Sequence, residues 1–149
     1  MFNILSFKTT LGWITVQEGN KKLISVKFGK QVSQGKSKIL IKAKKQIIDF
    51  SCRKLKKFNL DIFLEGSILQ KKIWKELQKI QYGKTKTYGE IAENLNTSPR
   101  YVGNVCGQNN HLLVIPCHRV VRSDGSLGGF SGLGGIKLKN KLIKMEKNV

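Results

Sequence analysis

Residues 87–106, TYGEIAENLNTSPRYVGNVC, decide the fold of the second half of the chain. Thr87 followed by Glu90 three positions later fits a capping box, in which the hydroxyl and the carboxylate satisfy backbone donors at a helix start. Tyr88, Ile91, Ala92 and Leu95 fall on one face of the helix it opens. Asn96-Thr97 closes that helix. Ser98-Pro99 starts another, with Ser as N-cap and Pro at the first helical position, where a missing N–H costs nothing. Val102, Val105 and Cys106 line its inner face. Two short helices joined by a tight turn describe a helix-turn-helix. An ordinary αα-hairpin has the same outline, so the partner must be argued from charge.

The charge favours a nucleic acid, DNA or RNA, and together with the helix pair it favours the DNA-binding version. The 149 residues hold 28 Lys and Arg against 9 Asp and Glu, a balance of +19. Neutralising phosphates releases counterions, so such an excess draws the chain to polyanions. It does not locate the contact, because segment 98–118 carries a single basic residue, Arg100. The length suits one ordinary domain, or two small ones sharing a core. Apolar runs such as Leu112 to Ile115 are far too short to span a membrane, and Met1 to Ser6 lacks a basic, then apolar, leader. The expectation is a cytoplasmic protein without membrane contact. Cys52, Cys106 and Cys117 with His111 and His118 form no C-x-x-C pair, so neither a disulfide framework nor a structural metal is expected, and no cofactor.

Upstream, residues 1–30 read as strands. Phe2, Ile4, Leu5 and Phe7 form one run; Trp13, Ile14 and Val16 a second; Leu23, Ile24, Val26 and Phe28 a third. Gly19-Asn20 between the last two signals a hairpin turn. A polar loop covers 30–37. Ile39, Ala43, Ile47 and Phe50 then repeat at helical spacing, predicting a helix to about Leu55 with Cys52 in a packing role. Residues 56–66 connect, with a short extended stretch at Ile62 to Leu64. Ser67 and Gln70 form another capping box, opening a helix with Leu69, Ile73, Leu77 and Ile80 as its apolar stripe and Gly83 at its end. Beyond the helix pair come a strand-like run, Leu112 to Ile115, a glycine-rich and wing-like loop, Gly125 to Gly135, and a last amphipathic helix with Leu138, Leu142 and Met145. The fold class is α+β: an N-terminal antiparallel sheet with a helix over 1–65, and a helical, winged helix-turn-helix-like domain over 66–149.

Cys117-His118 is the chemical centre of the sequence. A thiol reacts as its thiolate, and a nearby His, basic group or helix terminus favours that form. Adjacent residues rarely aim at one another, so a tight turn or a bridging water must couple them. A buried, inert Cys is the alternative on the dipeptide alone.

The surrounding string, IPCHRVV at 115–121, resembles the active-site signature of the O6-alkylguanine-DNA alkyltransferases. The likeness extends to GSILQKKIWKELQKIQYGKTKTYGEIAENL at 66–95, to the helix-turn-helix with Arg100, to Asn109, and to GGFSG at 128–132 followed by Glu146. It is strong over 66–149 and weak over 1–65. Phe130 stands where some members have Tyr, Cys106 holds a variable pocket-side position, and the zinc ligands of some relatives' N-terminal domains are missing.

The resemblance implies single-use transfer of an alkyl group from O6-alkylguanine in double-stranded DNA to Cys117, with O4-alkylthymine as a second candidate donor. It makes His118 the base acting through a water, Glu146 the group orienting it, and Asn109 the brace of the turn that presents the thiol. It makes Arg100 the finger that fills the duplex when the damaged nucleotide is flipped out. Tyr88 would contact the rotated phosphate and stabilise the leaving guanine at N3. Ser98 and Tyr101 would contact DNA, and Ser131 and the backbone near Val120 the flipped base. The protein is expected to act as a monomer. The competing readings are a lesion binder of the alkyltransferase-like group, which lacks the acceptor cysteine, a winged-helix regulator with a structural Cys117, and a thiol hydrolase.

Overall fold

The computed structural model describes residues 2–128 and 135–148. The chain forms two compact units, one of 1–64 with 110–114 and one of 65–109 with 115–149.

In the first unit, β1 (Asn3–Thr9), β2 (Gly12–Gly19) and β3 (Lys22–Phe28) make an antiparallel sheet in that order. The β2–β3 turn places both Asn20 (φ 51°) and Lys21 (φ 64°) in the left-handed region, as a two-residue type I′ turn requires. The Glu18 carboxylate accepts the Lys21 amide at 3.0 Å and steadies that turn. Helix α1 (Lys38–Ser51) is capped by Ser37, whose hydroxyl accepts from the Leu40 amide. Leu40, Ala43, Ile47 and Phe50 form its buried face, packing on the sheet with Phe7, Ile14, Val16, Leu23 and Val26 in the core.

The helix stops short of Leu55. Arg53 turns left-handed (φ 64°), its amide bonds to the Phe50 carbonyl, and the Lys54 amide reaches back to Asp49 at 2.7 Å. This double bond pattern is a Schellman termination, usually made by Gly, so composition did not announce it. Cys52 is the exposed C-cap of α1 and not a packing residue.

The outer edge of β3 pairs with two irregular segments. Residues around Ile62 bridge to Leu23, as the short extended stretch at Ile62 anticipated. Asn110 and Leu112 exchange backbone hydrogen bonds with Val26, at 2.8 and 3.1 Å. The run Leu112 to Ile115 is therefore not a strand. Leu113 has φ 72°, outside any strand conformation, and turns the chain after a single bridge at His111.

The second unit begins with α2 (Ile68–Gln78), whose capping box of Ser67 and Gln70 is fully formed. A two-residue strand, β4 (Lys86–Thr87), leads into α3 (Tyr88–Leu95), opened by the Thr87–Glu90 box. Asn96 (φ 59°) makes the tight turn, and Ser98-Pro99 opens α4 (Pro99–Gly107). The helix-turn-helix is formed as read. Trp74 Nε1 donates to the Val105 carbonyl at 3.2 Å, tying α2 to α4 inside a core that includes Ile73, Leu77, Ile91 and Val102. A 3₁₀ turn, Cys117–Arg119, precedes β5 (Val120–Val121), which pairs in parallel with β4. The last helix, α5 (Gly135–Lys147), buries Leu138, Lys139, Leu142, Met145 and Glu146. Most of the expected wing, with Phe130 and Ser131, lies outside the described residues. Among the described residues no helix is long and apolar enough to cross a membrane.

Candidate active site

The β4–β5 pairing brings the segment after the 3₁₀ turn alongside the start of α3. Lys86 faces Val120 and Thr87 faces Val121, so the turn carrying Cys117 sits near the first residue of α3, Tyr88. Both side chains line a cleft of about 700 Å³ in the second unit. Pro99, Arg100, Gly103, Cys106 and Gly107 of α4 form one wall, and Arg122, Ser123 and Gly128 complete it. Gly128 (φ 71°) approaches Tyr88 so closely that a Cβ would lie 3.0 Å from the phenol oxygen.

Cys117 is buried, and two bonds fix its turn. Its amide bonds to the Ile115 carbonyl at 2.8 Å. Asn109, buried just beyond α4, donates from Nδ2 to that same carbonyl at 2.8 Å and to Cys117 Sγ at 3.3 Å. Burial pushes the Cys117 thiol up, against the pull of the Asn109 hydrogen bond and the Lys139 charge, which favour the thiolate.

His118, the next residue of the turn, is fully buried. Its Nε2 lies 2.6 Å from Glu146 Oε2. Burial opposes ionisation of both partners with different outcomes. For His118 it outweighs the carboxylate and lowers the imidazole, which stays neutral at neutral pH. For Glu146 the hydrogen bonds from His118 and Arg119 overcome it and hold the carboxyl at about 2. Arg119 grips the same carboxylate at 2.8 Å (Nε to Oε1) and 3.0 Å (Nη2 to Oε2), and its Nη1 donates to the Ile80 carbonyl at 2.6 Å. The Gly83 amide adds a bond to Oε1 at 3.2 Å. With Nε2–H donated to the carboxylate, Nδ1 is the imidazole's basic nitrogen.

Tyr88 is half-buried. Burial, together with the charges that Cys106 and Cys117 would carry, pushes its phenol up to about 12, so it remains a proton donor at neutral pH. Lys139 Nζ donates to its oxygen at 3.2 Å. The Lys139 side chain is fully buried, and that burial lowers its ammonium.

Of the residues singled out in the sequence, Cys117, His118, Glu146, Asn109 and Tyr88 converge here. Arg100 is exposed on the α4 wall at the cleft rim. Ser98 is exposed, with its hydroxyl accepting from the Tyr101 amide as the α4 cap, and Tyr101 is half-buried. Val120 is buried in β5. Ser131 is outside the described residues. Arg119 and Lys139 went unassigned. Lys139 and Glu146, seven residues apart, both project from the apolar face of α5, and two charges on an inward helical face were the available signal. Arg119 was visible only as a letter within IPCHRVV.

Residues 68–148 match the family model described as 6-O-methylguanine DNA methyltransferase, DNA binding domain. A methylated-DNA–protein-cysteine methyltransferase of Sulfolobus acidocaldarius is 47% identical over 60% of this chain, an alignment spanning 56% of that relative's length. One from Saccharolobus islandicus is 35% identical and aligns over 94% of this chain and 92% of its own. Among solved structures, Mycobacterium tuberculosis OGT in complex with DNA matches with a TM-score of 0.86 at 30% identity, covering 97% of this chain and 92% of that one.

Proposed function

Because this chain belongs to the 6-O-methylguanine DNA methyltransferase family, we propose that it repairs DNA by moving the alkyl group from O6 of a damaged guanine onto Cys117. The observation that carries this reading is Cys117 itself, braced by Asn109 at the wall of a cleft and followed by a buried His118–Glu146–Arg119 chain.

Guanine O6 is unreachable inside a duplex, so the damaged nucleotide must be extruded into the cleft, at a cost of a few kcal/mol that is smaller for a damaged pair. Arg100, exposed at the rim, fills the vacated stack and holds the duplex open. Ser98 and Tyr101 at the start of α4 extend the contact to DNA, and Ser131 and the backbone near Val120 extend it to the flipped base. A water relays the Cys117 proton to Nδ1 of His118, and Glu146 stabilises the imidazolium that forms. The sulfur then attacks the alkyl carbon. A C–S bond forms, the C–O6 bond breaks, and its electron pair passes to the guanine ring. Tyr88 answers that charge by donating its proton toward N3. Lys139 donates to the phenol oxygen, which makes the phenol a better acid, and its charge favours the thiolate. The product thioether has no ready route to hydrolysis, so each molecule acts once. The protein works inside the cell, where its DNA substrate lies.

The test is intact-mass and peptide-map analysis of the full chain after incubation with a duplex containing O6-methylguanine. One methyl on Cys117, saturating at one equivalent, is expected. Multiple turnover, or methyl on Cys52 or Cys106, overturns the reading.

A further inference from the structure

The unit that lacks the reactive cysteine carries the larger net charge. Residues 1–64 hold 14 Lys and Arg against 3 Asp and Glu, or +11, and 110–114 add none; the second unit holds 14 against 6, or +8. Nine of the first unit's cations lie between Lys36 and Lys57, all exposed, against a single acid, Asp49, which pairs with Lys45 at 3.0 Å.

Their placement follows from how α1 packs. Its apolar face, Leu40, Ala43, Ile47 and Phe50, is turned to the sheet. Lys38, Lys42 and Lys45 recur at i, i+4 and i+7 and therefore share the opposite, solvent-facing side, a row about 10 Å long. Lys36 precedes the helix and Lys54 follows it. Like charges at this spacing destabilise an isolated helix by a few tenths of a kcal/mol per pair. Asp49 offsets Lys45, so the unfavourable part of the row is the Lys38 and Lys42 pair, which a further anion would relieve.

We infer that this face of α1 is a second DNA-binding surface, one that grips the phosphate backbone of duplex DNA without regard to lesion or sequence. The inference rests on the reading that the second unit brings the chain to DNA, which keeps the first unit at high local concentration near a polyanion. Each strand of a duplex presents one negative charge per about 3.4 Å of axis, or about three along the length of the row. Eight of the nine cations are lysine, a flexible point charge suited to phosphate rather than to bidentate reading of base edges. The only aromatic residue in 36–57, Phe50, is buried, so this segment offers no exposed stacking platform of the kind single strands need. The surface would lengthen the residence of the chain on undamaged DNA while lesions are sought.

The experiment measures the affinity of the full chain for unalkylated duplex DNA across a salt series. Two fourfold variants are compared with wild type. K36Q/K38Q/K42Q/K45Q removes the row; K8Q/K21Q/K22Q/K27Q removes the same charge from exposed positions on the sheet of the same unit. For the row variant, the slope of log K against log salt should become shallower by about 2 to 4, at about 0.9 for each phosphate no longer neutralised, with affinity down tenfold or more at about 0.1 M salt. The sheet variant should lose less than about half as much. An unchanged slope in the row variant overturns the inference. Equal losses in the two variants overturn it as well, since net charge alone would then account for the binding. Methyl transfer by the wild-type chain is scored separately, so failure of the repair reading shows as no methyl on Cys117 whatever the slopes.

Discussion

Glu146 Oε2 lies 2.6 Å from His118 Nε2, with both side chains buried, and the same carboxylate is held from the other side by Arg119. One carboxylate therefore serves two cations, one permanent and one that exists only while His118 holds a proton. Arg119 keeps Glu146 ionised and in place, and Glu146 in turn fixes the imidazole tautomer in which Nδ1 is the basic nitrogen.

Glu146→Gln tests this arrangement. The amide can no longer stabilise an imidazolium, and Arg119 loses its counter-charge. Single-turnover transfer should slow by about 10²-fold or more. Stability should fall by about 3 kcal/mol, the usual result of removing one partner of a buried ion pair. Quench-flow and denaturant titration read the two effects. Transfer within a few-fold of wild type would remove Glu146 from the mechanism.

The same pair predicts acid sensitivity. His118 is lowered by burial and Glu146 is held at about 2, both below their unfolded values. In each case the unfolded chain binds the proton more readily than the folded one. Each contribution is thus complete above the unfolded value and lost as pH falls through the window below it. Stability should decline from about pH 6.5 as His118 comes into play. The decline should steepen between the ordinary carboxyl value of 4.5 and about 2, where Glu146 is protonated. The lower limb should flatten in Glu146→Gln, as thermal melts across pH would show. A wild-type profile that stays flat from about pH 7 to about pH 3 would contradict the assignment.

Asn109→Ala should act on the nucleophile. Its Nδ2 bonds to Cys117 Sγ and to the Ile115 carbonyl. Losing the first removes a stabiliser of the thiolate; losing the second takes one hydrogen bond from the buried Ile115 carbonyl, which keeps the Cys117 amide, at a cost of about 0.5 to 1.5 kcal/mol. The pH profile of Cys117 alkylation by iodoacetamide should move to higher pH, beyond anything a purely structural residue would cause. An unmoved profile in a folded variant would refute the role.

Lys139→Met separates function from stability. Burial lowers the ammonium, so replacing it with an apolar chain of similar length should leave stability unchanged or raise it. Transfer should nevertheless slow and its pH optimum move upward, because the thiolate and the Tyr88 phenol both lose a neighbouring positive charge. Parallel loss of stability and activity would make Lys139 a structural residue only.

Local signals in the sequence were reliable where local physics decides. The capping boxes at Ser67 and Thr87 and the Ser98-Pro99 start each formed with the hydrogen bonds their residue types imply. Signals failed where a distant partner decides. Leu112 to Ile115 is as apolar as a strand, but its hydrogen-bond partner is Val26, far upstream in the chain, and it meets that partner at one bridge only. The string at 115–121 was legible as a motif, and the family resemblance pointed to Asn109 and Glu146, which the fold brings against Cys117 and His118. The cationic support was not. Arg119 and Lys139 look like ordinary members of a strongly basic chain until the fold buries them.

Arg100 and Tyr88 should differ from each other in a way that only two substrates reveal. If Arg100 fills the gap left by the flipped guanine, Arg100→Ala should slow transfer from duplex DNA far more than transfer from free O6-benzylguanine, which has no stack to leave. Its exposed position on the cleft rim supports the variant's folding, since Ser98 and not Arg100 caps α4. Tyr88→Phe keeps the ring against Gly128 and Lys139 but loses the proton donor. If that proton serves the leaving guanine, it does so in either substrate, and the defect, about a hundredfold for loss of a general acid, should persist with the free base. Single-turnover rates for both variants on both substrates resolve the pattern. Equal impairment of the two substrates by Arg100→Ala would make Arg100 structural, and a Tyr88→Phe defect confined to the duplex would move Tyr88 from the chemistry to the handling of DNA.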